Sequence, residues 1–310
     1  MRRGNLFGVV GVCSTGMGMA IGLIAITALL HAASPALAAS PAEIARGKYI
    51  YGATGGCGCH TEPKGPANAG GRKYDGPFGT VYSANITPDT KTGIGAWTDE
   101  QIITAIRLGR RPNGDRILPV HPFPSFNGMA DDDLTALVAF LRTVQSVSRP
   151  NTPKKITVPM FESVFLPAWL MAFAATETPP PAAPAAGAAR GEYLVRAVAH
   201  CGECHTPRSA MTMAVDNSRF LAGNPKKTGP QGQATPNITP DKTTGLGDWT
   251  EEQIVTYLGT GKRPDGDVAG GLMEEGIQGT LAGFKDMTKA DLQAIARYLK
   301  SIPAVTNKIE

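Results

Sequence analysis

This 310-residue chain repeats itself in order, and that repeat constrains the fold more than any single residue does. Ala45-Arg46-Gly47-Lys48-Tyr49-Ile50 returns as Ala189-Arg190-Gly191-Glu192-Tyr193-Leu194. Residues 84–89 read A-N-I-T-P-D, and residues 236–241 read P-N-I-T-P-D. Thr92-Gly93-Ile94-Gly95-Ala96-Trp97-Thr98 is echoed by Thr244-Gly245-Leu246-Gly247-Asp248-Trp249-Thr250. Arg111-Pro112 recurs as Arg263-Pro264, and Asp133-Leu134 with Phe140-Leu141 recurs as Asp291-Leu292 with Tyr298-Leu299. Matches this numerous and this ordered imply two copies of one module. The punctuation is helical in both. Short helices begin at Ala45 and Ala189. Thr98-x-x-Gln101 and Thr250-x-x-Gln253 are capping boxes, opening helices that reach about Leu108 and Leu258 and close at Gly. Residues 131–143 and 289–301 carry apolar positions at three- and four-residue spacing, which predicts amphipathic closing helices. Asp131-Asp132-Asp133 fits the start of the first of these, matched to the helix dipole. No alternating strand pattern of any length is present. The expectation is an all-α fold of two small units. A unit of roughly 100 residues buries little of its own surface and gains from a large apolar ligand in its core.

Residues 201–205 say what that ligand is. They read Cys-Gly-Glu-Cys-His, and C-x-x-C-H is the attachment signature of c-type haem. Cys201 and Cys204 would form thioethers with the haem, and His205 would ligate the iron from below. A zinc half-site needs a second pair of ligands at matching spacing, and none follows. A thiol redox pair has no use for the trailing His. The first copy has a shorter segment, Gly56-Cys57-Gly58-Cys59-His60. Tyr49 to Cys57 and Tyr193 to Cys201 are both eight positions, so the missing residue lies between Cys57 and Cys59. One residue spans about 3.3–3.6 Å, which bears on whether both thiols reach the haem. Attachment through both, through one, or no haem at all are the three readings. Gly56 and Gly58 offer compensating freedom, and the retained His60 favours haem.

The remaining sequence sets the context. With 37 Gly and 25 Pro against 6% aromatic residues, much of the chain is turn and loop. A net charge of +4, dispersed along the chain, excludes a nucleic-acid partner. Five cysteines, one of them Cys13, make no even disulfide framework. Residues 1–38 read as a signal peptide: Arg2 and Arg3, an apolar run to near Leu30, then Ala36-Leu37-Ala38. Its removal would lower the net charge by the two arginines, to +2. An uncleaved anchor is the other reading. Cys13 and His31 fall in this leader. Residues 147–186 form a Pro- and Ala-rich linker, stiff and extended over 178–184. Its apolar stretch, residues 158–174 with Trp169, either packs between the copies or docks onto a partner or membrane surface.

On C-G-E-C-H, N-I-T-P-D, T-G-[IL]-G-x-W-[TS] and R-P-[DN]-G, the chain resembles the di- and tri-haem cytochrome c family, over residues 42–146 and 187–303. Members serve as electron-accepting subunits of exported bacterial dehydrogenases. The resemblance implies two tandem class I cytochrome c-like domains, 42–146 and 187–306, each a few short helices around one c-type haem. In such modules the sixth ligand comes from a loop after R-P-x-G and is often Met. Met273 stands nine positions after Pro264, and His121 nine after Pro112. Hence His60, His121, His205 and Met273 are the implied iron ligands, with Met129 the runner-up to His121. The plainer readings are a loop His between Pro119 and Pro122, and a core Met. His200 is expected to face solvent or a haem propionate, and Trp97 and Trp249 either pack in the core or meet the haem edge. The implied function is electron relay in the periplasm, or at the inner membrane. The donor would be a periplasmic or membrane-bound dehydrogenase, and the acceptor a cytochrome c, the quinone pool or an oxidase. Protein ligands on both faces of each iron leave no position for substrate. A dihaem redox enzyme, a peroxidase or sulfur-compound dehydrogenase with a displaceable ligand at the first haem, is the alternative. A haem sensor lacks an output domain.

Overall fold

The computed structural model describes residues 39–174 and 178–309. The expected leader, with Cys13 and His31, lies outside the described residues. The first helix, α1 (Pro41–Ala53), opens on Ser40, whose hydroxyl accepts from Glu43 N at 3.2 Å, and has Pro at its first position. A hairpin of β1 (Lys73–Gly76) and β2 (Gly79–Tyr82) follows. Then come α2 (Asp99–Leu108), α3 (Phe123–Phe126), α4 (Asp131–Leu141), β3 (Lys155–Ile156) and α5 (Leu166–Phe173). The second copy supplies α6 (Gly187–Tyr193), which runs on through a wider helical turn at Leu194–Val198. It continues with α7 (Cys201–His205), α8 (Glu251–Thr260), α9 (Gly271–Gln278) and α10 (Lys289–Ser301). Both capping boxes form, at Thr98 with Gln101 and at Thr250 with Gln253. Helix α2 stops at left-handed Gly109, whereas α8 runs two residues past Leu258, through Gly259, to left-handed Gly261.

The structure is mostly helical but not all-α. Strands β1, β2 and β3 form one antiparallel sheet, with Tyr74 opposite Val81 and Thr80 opposite Lys155. Four residues are the shortest run in which alternation reads as a strand, and β3 comes from the stretch expected to be a linker. Gly79 makes the junction possible. Its φ is +126°, and a Cβ there would lie 2.1 Å from Lys155 O.

The repeated A-R-G-x-Y motif sets how each copy closes. Helix α1 packs on α4, and α6 on α10. A Cβ on Gly47 would sit 1.9 Å from Ala136 O, and one on Gly191 2.1 Å from Ala294 O, so the glycines permit a close approach. The arginines bind within their own copy: Arg46 Nε donates to Asp133 Oδ1 and Arg190 Nε to Asp291 Oδ1, each at 2.9 Å. The tyrosines cross between copies. Tyr49 Oη donates to Asp291 Oδ2 at 2.6 Å, and Tyr193 Oη to Asp133 Oδ2 at 2.7 Å. Buried carboxylates are tolerated because every oxygen is matched. Around this lattice the two copies share one apolar cluster, with Ile50, Leu134 and Phe140 from one side and Leu194, Leu292 and Leu299 from the other. The described residues accordingly cluster as one compact unit.

The apolar stretch before α6 also packs. Leu166 is buried with Val81 and Leu118 of the first copy, and Trp169 Nε1 donates to Thr212 O of the second at 2.6 Å. Among the described residues no helix is long and apolar enough to cross a membrane.

Candidate haem sites

Two backbone carbonyls aim the two attachment-site histidines. His60 Nδ1 lies 2.7 Å from Ala84 O, and His205 Nδ1 lies 2.9 Å from Pro236 O. Ala84 and Pro236 are the matching residues immediately before the two N-I-T-P-D blocks. A carbonyl only accepts, so each Nδ1 carries the hydrogen and each Nε2 keeps its lone pair. Burial lowers the pKa of both rings, which holds them in the neutral, metal-competent form. The N-I-T-P-D loops are themselves pinned. Asn85 Nδ2 donates to Val147 O at 2.8 Å and Asn237 Nδ2 to Val305 O at 2.7 Å, while each Oδ1 accepts from the Thr two residues on. The segment after each closing helix thus returns to hold the loop that orients the His. Arg142, just past the end of α4, donates to the carbonyls of Ile94 and Trp97, and Lys300 in α10 to those of Leu246 and Trp249. Trp249 packs edge-on against Tyr257 at 5.7 Å, and both Trp97 and Trp249 lie against the shared core.

The two attachment segments begin differently. In the second, His200 takes a left-handed φ of 41°, and Cys201–His205 forms a five-residue helical turn. In the first, Cys57 itself is left-handed, with φ 47°, and Gly58–His60 forms a tighter three-residue turn. The missing residue is absorbed by moving the left-handed position onto the first cysteine. Gly56 supports this with φ +68°, pressed so close to the second copy that a Cβ would lie 2.3 Å from Ala282 O. Gly58 is not in the left-handed region.

None of Cys57, Cys59, Cys201 and Cys204 is joined in a disulfide. Burial pushes Cys57, Cys201 and Cys204 up to about 12. After burial, nearby Cys59 adds to the upward shift of Cys204, so the two attachment segments are neighbours. Among the described residues no group of three His, Cys, Asp or Glu side chains is arranged to hold a metal ion by itself.

His121 faces His60. Their ring centroids are 6.4 Å apart with planes at 78°. Burial, and then the neighbouring His60, push the His121 pKa down to about 3. Met129 instead is fully buried in the shared core, its carbonyl accepting from Arg107 Nη2 at 2.6 Å. Met273 stands in the first turn of α9, half-buried. His200, expected to face solvent or a propionate, packs edge-on against Phe126 of the first copy at 5.1 Å.

A diheme cytochrome c-type protein of Cereibacter sphaeroides is 36% identical over 269 residues, spanning 85% of this chain and 87% of that protein. The chain belongs to the c-type cytochromes. The cytochrome is also 37% identical over 295 residues to the cytochrome c subunit of a quinone-dependent alcohol dehydrogenase from Gluconobacter oxydans. It is 37% identical over 276 residues to the fructose dehydrogenase cytochrome subunit of Gluconobacter japonicus. The first match takes in 92% of the cytochrome but 59% of that subunit, and the second 87% of the cytochrome but 54% of that subunit. No family model matches the cytochrome. Its relatives bear out the resemblance read from the four motifs, and with it covalently bound haem c as the cofactor.

Sequence reasoning missed the carbonyls of Ala84 and Pro236, which have no side-chain signal, although the repeated N-I-T-P-D block marked the place. It also missed Arg72, Ser125 and Glu275, which no motif marks.

Proposed function

We propose that this cytochrome is an exported dihaem electron relay that serves a dehydrogenase, with one haem in each copy of the repeat. Residues 42–146 and 187–306 would each enclose a haem, joined by 147–186. Cys57, Cys59 and His60 would hold the first, and Cys201, Cys204 and His205 the second. His121 and Met273 would close the far sides of the two irons. When bound, haem c supplies a one-electron iron couple.

The observation that carries this reading is the pair of facing imidazoles, His60 and His121. A metal–imidazole bond is about 2 Å long and each ring centre lies about 1 Å behind its nitrogen, so two imidazoles sharing a metal have centres about 6 Å apart. The observed 6.4 Å fits one iron between them. The remaining residues serve to hold these ligands and exclude water. Ala84 and Pro236 fix ring orientation, and burial keeps the imidazoles neutral. Two protein ligands on an iron leave no place for substrate, which favours relay over a dihaem enzyme. The cytochrome subunits of alcohol and fructose dehydrogenases point to a dehydrogenase as donor. An acceptor such as a second cytochrome c, the quinone pool or an oxidase follows from the same reading, as does a periplasmic site, free or at the inner membrane.

The mass of the mature protein with its pyridine haemochrome spectrum tests this. Two haem increments and wholly low-spin resting iron are expected. One haem increment, or high-spin iron that binds carbon monoxide without mutation, would overturn it.

A further inference from the structure

Each ligand-bearing loop is fastened to the attachment segment of the opposite copy. Ser125, four residues after His121, donates its hydroxyl to Glu203 Oε1 at 2.7 Å. Glu203 lies between Cys201 and Cys204. Its other oxygen accepts from Arg208 Nη2 at 2.7 Å, and the same nitrogen donates to Glu203 O at 3.1 Å. The Glu203 and Arg208 side chains keep only 18% and 16% exposure, so water competes weakly. The reverse fastening uses Glu275, two residues after Met273. Arg72 holds it with both terminal nitrogens, Nη2 to Oε1 at 3.0 Å. Arg72 Nη1 also donates to Gly58 O at 3.2 Å, and Gly58 lies between Cys57 and Cys59. The Arg72 side chain is 9% exposed.

The repeat does not generate this exchange. Ser125 stands thirteen positions after Pro112, and Glu275 eleven after Pro264. A serine on a carboxylate in one direction and a guanidinium–carboxylate fork in the other reach the same arrangement from different residues. In each case a charge-assisted bond ties the segment that carries the sixth ligand to the segment that anchors the neighbouring haem.

We propose that Ser125–Glu203 and Glu275–Arg72 are positioning pairs for the two sixth ligands, so that the distal bond at each haem depends on the attachment segment of the other copy. This rests on the assignment of His121 and Met273 as ligands. A loop freed of its tie opens more often, and an outside ligand then binds in proportion to the open fraction.

The test is cyanide titration of the ferric full-length holoprotein. Loss of the sulfur-to-iron charge-transfer band distinguishes the C-terminal haem. Glu275→Gln is expected to raise the apparent cyanide affinity there about tenfold, as loss of one charge-assisted bond implies. Ser125→Ala is expected to raise it about threefold at the N-terminal haem. Glu162→Gln, which breaks the remote pair with Lys154, is expected to move neither. Met273→Ala and His121→Ala test the ligand assignment separately. If neither opens its haem to cyanide, the ligand assignment fails, and the proposal with it. If they do open the haems but Glu275→Gln and Ser125→Ala leave both affinities unchanged, only the proposal is overturned. A lower melting temperature without a change in cyanide affinity would also overturn it, since that is what a purely structural contact gives.

Discussion

The phenol of Tyr193 donates to Asp133 Oδ2 at 2.7 Å and accepts from Ala130 N at 3.1 Å, so a residue of one copy completes the helix start of the other. Tyr49 returns the contact, donating to Asp291 Oδ2 at 2.6 Å and accepting from Thr288 N at 3.3 Å. Burial and the Asp133 charge push the Tyr193 pKa upward, so it remains a donor throughout the working range. Tyr193→Phe leaves Asp133 with one partner fewer in a buried place. The expected cost is about 1.5–3 kcal/mol, the range for a hydrogen bond to a charged group. Tyr49 is partly exposed, and its variant should cost less. Denaturant midpoints check both, with haem spectra expected to stay unchanged.

Glycines of the same chemical type should answer substitution with opposite signs. Ala at Gly47 or Gly191 would drive a Cβ into the carbonyl of Ala136 or Ala294. Each is expected to cost roughly 1–3 kcal/mol through overpacking. Gly259 lies within α8, and a Cβ there meets only Leu292 Cδ1, at 3.5 Å. Gly259→Ala is therefore expected to stabilise by roughly 0.5–1 kcal/mol, because Gly inside a helix costs that much relative to Ala. Thermal melts of the three variants separate the two cases.

Acid should unfasten the copies through Asp291. Burial alone would raise its pKa, but hydrogen bonds from Arg190 and Tyr49 outweigh burial and hold it below the usual carboxylate range. The folded pKa therefore lies below the unfolded one. The stability linked to it is fully present above the unfolded value, about 4, and is lost as pH falls through the folded value. Unfolding free energy measured from pH 7 down to about 2 should show an acid limb that is shallower in Asp291→Asn. That variant should also be less stable at neutral pH.

Much of this was legible because the chain is written twice. Periodicity and capping boxes located α2, α4, α8 and α10, whose signals are local. The Asp131–Asp133 run forms the first turn of α4 as its charge suggested. The sheet was not legible, because β1 and β2 are four residues each and β3 is two, recruited from a distant segment. The cross-copy contacts of Tyr49, Ser125 and Arg72 were also hidden, since a pattern in one copy cannot say which copy its side chain will meet. The count of nine positions from Pro112 reaches His121, whose ring lies opposite His60.

The facing imidazoles give the last prediction, which concerns the direction of electron flow. A thioether ligand raises a haem potential, whereas a second imidazole favours ferric iron. If His121 ligates the first iron and Met273 the second, the N-terminal haem should be the lower-potential centre. Electrons would then enter at the N-terminal haem and pass downhill toward the C-terminal one. Burial of the His121 ring strengthens the case, because a dry neutral imidazole is held ready to ligate. Redox titration of the wild type should resolve two waves. In His121→Met the lower wave should rise by roughly 0.1 V or more, within the span of about 0.8 V that axial ligands command, while the upper wave stays in place. Waves unmoved by the substitution would make His121 an ordinary residue of its loop and would remove the ligand basis for the direction of flow.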